Sequence, residues 1–234
     1  MQVAIGLYPG FTVLDAIGPY QVFAELPDTE TVVCAARRGR LDDEDRQLHL
    51  EIDHTLDEIP RPDILLVPGG CSPGLIPGAY GPVVDWIRSA HQHTTYTTSV
   101  CTGALLLGAA GLVDGLDATT HWRCYDLLSG YGARPTAQRV VFQGKVVTGA
   151  GVSAGIDLAL AVVARLRGPE AAQAIQLQIE YDPQPPFDTG APARAPADVK
   201  ALADEFSARV DGGRRRALWP SGRKYDNPTT GEPR

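Results

Sequence analysis

The sequence predicts an α/β fold, a mostly parallel sheet sandwiched by helices, and three observations carry that prediction. Short strands that are apolar on both faces alternate with helical stretches along most of the 234 residues, the pattern of a sheet covered on both sides. Two of these strands close on turn tripeptides, Tyr8-Pro9-Gly10 and Pro68-Gly69-Gly70. A third runs without a spacer into a small-residue helix through Val100-Cys101-Thr102-Gly103.

The elements follow in order. Residues 3–7 form a buried strand that ends at the first turn. Residues 12–26 place Val13, Leu14, Ile17, Tyr20 and Phe23 at helical spacing; Gly18-Pro19 predicts a kink or a fresh start, because proline lacks an amide hydrogen and crowds the preceding turn. A second strand covers 31–36, and the polar run 37–47 reads as a surface loop or hairpin. Residues 63–67 make an aliphatic strand, 83–90 a helix, and 95–100 the strand that delivers Cys101. The helix after it runs through ALLLGAAGLV. A further helix is expected over 121–131. Residues 139–142 and 145–148 pair as a hairpin around Gln143-Gly144, and helices over 153–167 and 170–179 close the domain. In such sheets ligands bind at the carboxyl ends of the strands. The turns at 8–12, 68–71, 100–103 and 149–153 are therefore expected to meet at one edge.

Composition narrows the function. An apolar fraction of 44% and a charged fraction of 21% suit a globular core. The net charge of −7 argues against a nucleic-acid partner. The four cysteines, at 34, 71, 101 and 124, form neither a disulfide framework nor a zinc spacing, which fits a reducing compartment. The N-terminus MQVAIGLYPG enters a strand with no basic stretch before it, so it is not read as a signal peptide. No apolar run approaches the ~20 residues needed to span a bilayer. The expectation is a cytoplasmic protein, with a catalytic domain over 1–190. From 191 to 234 a chain rich in Pro, Gly, Ala and Arg is expected to be a peripheral or disordered tail with a short helix at 198–209.

Cys101 stands on the layout of a nucleophile elbow, a strand ending in a nucleophile with small residues behind it. The following helix N-terminus and the Thr102 amide favour the thiolate, the reactive form. The competing reading is a buried, inert cysteine. The amides of Gly70 or Cys71, with that of Thr102, form a two-donor oxyanion-type hole; the same tripeptide also serves as a plain strand-ending turn. Asp15, an acid among Leu14, Ala16 and Ile17, is a candidate to exchange protons with Cys101, against the reading of an ordinary helix charge. His121 is a candidate to orient or protonate a partner, or else a cap or packed core residue. Gly149-Ala150-Gly151 misses the dinucleotide fingerprint, so no nucleotide is expected. The five histidines supply no convincing metal set.

Four motifs in order, YPGFTVLDAIGPYQVF, DILLVPGG, TTSVCTGALLLGAAGL and ATTHW, resemble the ThiJ/PfpI superfamily, of flavodoxin-like, class I glutamine amidotransferase-like fold. The resemblance covers residues 1–190. Asp15 in its LDxxGP setting and the stretch IEYDPQPPFDTG at 179–190 are similar to the members that hydrate organic isocyanides to N-substituted formamides. The resemblance implies Cys101 as nucleophile, Asp15 as acid/base and Thr102 as a positioning donor, with a thioimidate intermediate. It also implies a small-molecule isocyanide substrate, a homodimer, and no metal or organic cofactor. Three alternatives stand beside it. One is the sensor half of a helix-turn-helix regulator, for which the stretch after 190 is too short. The others are a stand-alone metabolite or redox sensor, and another thiol enzyme of glyoxalase, peptidase or chaperone type.

Overall fold

The computed structural model describes residues 1–70 and 80–218. The strands are β1 (Gln2–Leu7), β2 (Glu30–Ala35), β3 (Gly39–Asp42), β4 (His49–Ile52), β5 (His54–Thr55), β6 (Ile64–Val67), β7 (Tyr96–Val100), β8 (Asp117–Ala118), β9 (Arg134–Pro135), β10 (Val140–Gln143) and β11 (Val146–Gly149). The helices are α1 (Val13–Ala24), α2 (Gly81–Ala90), α3 (Gly103–Ala109), α4 (Tyr125–Ser129), α5 (Ala154–Arg167), α6 (Pro169–Gln178) and α7 (Ala197–Leu218). Seven strands form one sheet in the order β10-β11-β7-β6-β1-β2-β5. Every neighbouring pair is parallel except the β10–β11 hairpin.

The aliphatic run of β6 is buried at all four positions, and β1 is buried from Val3 onward. This is why both read as near-continuous apolar segments rather than alternating ones. β7 lies between β6 and β11, so the turn after Val100 emerges beside the ends of both neighbours. The sequence therefore places its suspected turns at one sheet edge because a parallel sheet aligns the carboxyl ends of its strands.

Several elements differ from their sequence expectation. α1 runs unbroken through Pro19. Pro19 is buried and lies against α5, where a Cβ added at Gly155 would come within 3.0 Å of its ring, so packing on α5 holds a helix that local propensity would break. The expected helix at 121–131 is a 3₁₀ turn at Trp122–Cys124 followed by the five-residue α4. The 37–47 segment, by contrast, meets its hairpin expectation, with β3 pairing antiparallel to β4. α7 extends well beyond 198–209, and the backbone stays helical through Gly212-Gly213. Its residues Val199, Leu202, Phe206 and Val210 are exposed, and an ion pair from Arg123 to Asp204 ties it to the body. Among the described residues, no helix is long and apolar enough to cross a membrane.

Candidate active site

Cys101 occupies the sharp turn that the sequence suggests. Its φ is +55°, a left-handed conformation that costs a side-chain-bearing residue energy and persists only where the surroundings impose it. Here they do. The Cys101 amide donates to the carbonyls of Gly149 (3.1 Å) and Ala150 (2.9 Å), and Thr120 Oγ1 donates to the Cys101 carbonyl at 2.8 Å. Both main-chain groups of the strained residue are thus fixed by the neighbouring turn and by the ATTHW segment.

Cys101 is 6% exposed, and the amides of Val152 and Thr102 face its sulfur and favour the anion. Burial, followed by the negative charge of Asp15, nevertheless pushes the thiol well above its ordinary range, and the two amides only partly offset this. The helix start was expected to favour a thiolate. Desolvation outweighs it, so the resting group is a thiol, held next to donors that would stabilise its anion.

Asp15 projects from the first turn of α1 and is fully buried. Its Oδ2 accepts from the Gly69 amide at 2.8 Å, and its carboxyl group lies beside the Cys101 side chain, which favours the ionised form. Oδ1 has no partner among the described nitrogens and oxygens. Desolvation raises the Asp15 pKa to about 7; the Gly69 amide and the Cys101 side chain pull it down, and the charge of Glu44 pushes it up. A carboxyl group titrating near neutrality can both take and return a proton. A glycine is needed at 69, because a Cβ there would lie 2.7 Å from Asp15 Oδ2 and from the Thr102 amide nitrogen and hydroxyl.

The expected Gly70 donor requires correction. The Gly70 amide donates to Thr102 Oγ1 at 3.0 Å, and that hydroxyl returns a hydrogen bond to the Gly70 carbonyl at 3.2 Å. A peptide group used in this way clamps Thr102 and is not free to face an incoming substrate. Cys71, the alternative donor, lies outside the described residues. The second donor on the sulfur is Val152, which the sequence reading did not identify, although it did place the 149–153 turn at the same edge. A backbone amide leaves no mark in residue identity, and only the Gly149–Gly151 pattern pointed to that turn.

His121 lies outside this pair. Its ring faces Gly151, where a Cβ would come 3.0 Å from Cδ2, and Nδ1 accepts weakly from the Arg123 amide at 3.4 Å. Burial, then the charge of Arg123, lowers its pKa, which keeps the imidazole neutral. It lines a cavity of about 420 Å³ with Trp122, Tyr125, Arg139, Val152 and Arg194. The cavity also borders the 150–153 turn, whose Ala150 carbonyl holds the Cys101 amide. The residue of the ATTHW segment that touches Cys101 directly is Thr120, a contact invisible without the strand register.

The chain has well-defined relatives. The model of the DJ-1/PfpI family matches residues 1–165. An isonitrile hydratase of Pseudomonas putida is 42% identical over 217 residues, covering 90% of each chain. A helix-turn-helix transcriptional regulator of Pseudomonas aeruginosa is 30% identical over 128 residues, which is 54% of this chain and 38% of the regulator. The crystal structure of a ThiJ/PfpI family protein from Pseudomonas syringae superposes with a TM-score of 0.82 at 38% identity, covering 93% of this chain and 89% of the other.

Proposed function

This chain belongs to the DJ-1/PfpI family, and on that premise we propose that it is an isonitrile hydratase, converting an organic isocyanide and water into an N-substituted formamide through Cys101. The observation that carries the chemistry is the pairing of a strained, buried cysteine with a carboxyl group whose pKa is about 7. The similarity over nine-tenths of both chains to the Pseudomonas putida enzyme supports the substrate class.

In the first step Asp15 takes the proton of the Cys101 thiol as the sulfur attacks the terminal isocyanide carbon. The Val152 and Thr102 amides stabilise the anionic sulfur as it forms. The carbon lone pair then takes a proton back from Asp15, which leaves the thioimidate R–N=CH–S and an ionised carboxylate. Asp15 takes a proton from a water molecule as it adds to this carbon and passes that proton to the nitrogen. The C–S bond then breaks as the hydroxyl proton passes through Asp15 to the sulfur, releasing R–NH–CHO and regenerating the thiol. The resting thiol suits this sequence, because the proton that Asp15 takes from sulfur is the one it returns to carbon. Thr102 acts as a positioning residue, its hydroxyl locked to Gly70 and its amide on the sulfur.

The catalytic unit is assigned to residues 1–190, with 191–234 as an appendage, and the working form to a cytoplasmic homodimer without a nucleic-acid partner. The test of function is incubation of the pure protein with cyclohexyl isocyanide, with N-cyclohexylformamide followed by mass spectrometry. Formamide that forms with the parent protein and not with Cys101→Ala is the expected result. No formamide from the parent would remove the hydratase reading.

A further inference from the structure

The closing segment 179–190 is connected to the cysteine turn through one arginine. Tyr181 donates its hydroxyl to Asp157 Oδ2 at 3.1 Å. The same oxygen receives Arg139, through Nη2 at 2.6 Å and Nε at 2.8 Å. Arg139 in turn holds the 150–153 turn at two places. Its carbonyl accepts from the Ala150 amide at 2.9 Å, and its Nη2 donates to Ser153 Oγ at 3.2 Å. Between those two attachments lies Val152, whose amide faces the Cys101 sulfur and favours its anion. The carbonyl of Ala150 also fixes the Cys101 amide.

Ser153 makes the arrangement informative. It is the N-cap of α5, where a serine hydroxyl ordinarily accepts from the helix's own first-turn amides. Here it makes no capping bond and is engaged by Arg139 instead. The exchange adds little stability, because the Arg139–Asp157 pair is 47% and 33% exposed, and exposed pairs contribute little. It does add a fixed position for the segment that carries the amide.

We propose that Arg139, locked by Asp157 and Tyr181, is a positioning residue for the reaction: it sets the place of the Val152 amide against the Cys101 sulfur. The inference rests on the reading of Cys101 as the nucleophile. It gives a use to Tyr181, a member of the IEYDPQPPFDTG stretch that has no other part in the mechanism. A hydrogen-bond donor aimed at a developing anion is effective only while its geometry is held, and a shift of about 1 Å can cost up to 10²-fold in rate.

The test uses Arg139→Met, Arg139→Lys and Tyr181→Phe, with Arg134→Met as the comparison, since Arg134 forms a surface pair with Asp117. Arg139→Met should lower kcat on the order of tenfold with KM within about twofold, and Tyr181→Phe should lower it about threefold. Arg139→Lys should recover part of the loss, and Arg134→Met should behave as the parent. The readout that a merely structural role would not move is the pH profile of Cys101 alkylation by iodoacetamide. Loss of the amide donor disfavours the thiolate, so the profile should shift to higher pH in Arg139→Met and Tyr181→Phe. An unchanged profile in these folded variants, or a change confined to KM, would overturn the proposal. Alkylation needs no isocyanide, so failure of the hydratase reading, seen as no formamide from the parent, is distinguishable from failure here.

Discussion

Cys34 and Cys101 are both buried thiols whose pKa values are raised by burial, yet they stand in opposite situations. Cys34 lies inside β2, its sulfur directed at the Ile5 carbonyl at 3.7 Å, and desolvation alone pushes its pKa up to about 12. A carbonyl can only accept a hydrogen bond, so among the described residues the partner of Cys34 offers a thiolate no stabilisation. Cys101 is equally starved of water, but its turn brings two amides and a carboxyl group onto the sulfur. Burial by itself makes a thiol inert. Burial beside a proton acceptor and two donors makes one whose proton can be moved on demand.

The largest effect should come from exchanging the two cysteines' fates. Cys101→Ala should reduce hydration by on the order of 10⁴-fold or more, whereas Cys34→Ala should leave kcat close to the parent value and lower stability by about 1 kcal/mol. Steady-state formamide release and thermal unfolding read the two outcomes. A Cys34→Ala variant with collapsed turnover would erase the distinction between the sites.

Asp15→Asn should slow turnover by about 10²- to 10³-fold, while the alkylation profile of Cys101 moves to lower pH because a negative neighbour has been removed. The same substitution sharpens the comparison through stability. The folded-state pKa of Asp15, about 7, lies above its ordinary value of 3.8. The neutral form therefore favours the fold fully below about pH 4, and that contribution is lost as pH rises through 7, a cost on the order of 4 kcal/mol at high pH. Asp15→Asn should unfold at a higher temperature than the parent at pH 8 and show little advantage at pH 4. Equal midpoints at both values would mean that the carboxyl group is not held in the environment described.

Gly69→Ala is the smallest and most local test. A methyl group at this position meets Asp15 and Thr102 at 2.7 Å, so stability should fall by about 1–3 kcal/mol and kcat by about tenfold, with Cys34 chemistry untouched. Full activity in this variant would show that the spacing between carboxyl group and cysteine turn is not critical.

Much of this was legible from residue patterns. The unbroken apolar runs of β1 and β6 announced a parallel sheet, and the junction Val100-Cys101-Thr102-Gly103 announced the turn. What the sequence concealed is mostly main chain. The Val152 amide and the engagement of the Gly70 amide by Thr102 depend on register and on φ, not on residue type. The continuity of α1 through Pro19 was hidden for a different reason, since packing against Gly155 overrides a local propensity. The balance at the sulfur was misjudged because a helix start is visible in sequence and the depth of burial is not.

The central claim is a covalent intermediate on Cys101, and rapid acid quench tests it most directly. The parent protein is mixed with cyclohexyl isocyanide, stopped at successive early times, and digested for mass analysis. The account requires a transient addition of the whole isocyanide mass on the peptide carrying Cys101, which decays as formamide appears. Formamide released with no adduct at any time, or an adduct confined to Cys34 or Cys124, would contradict it.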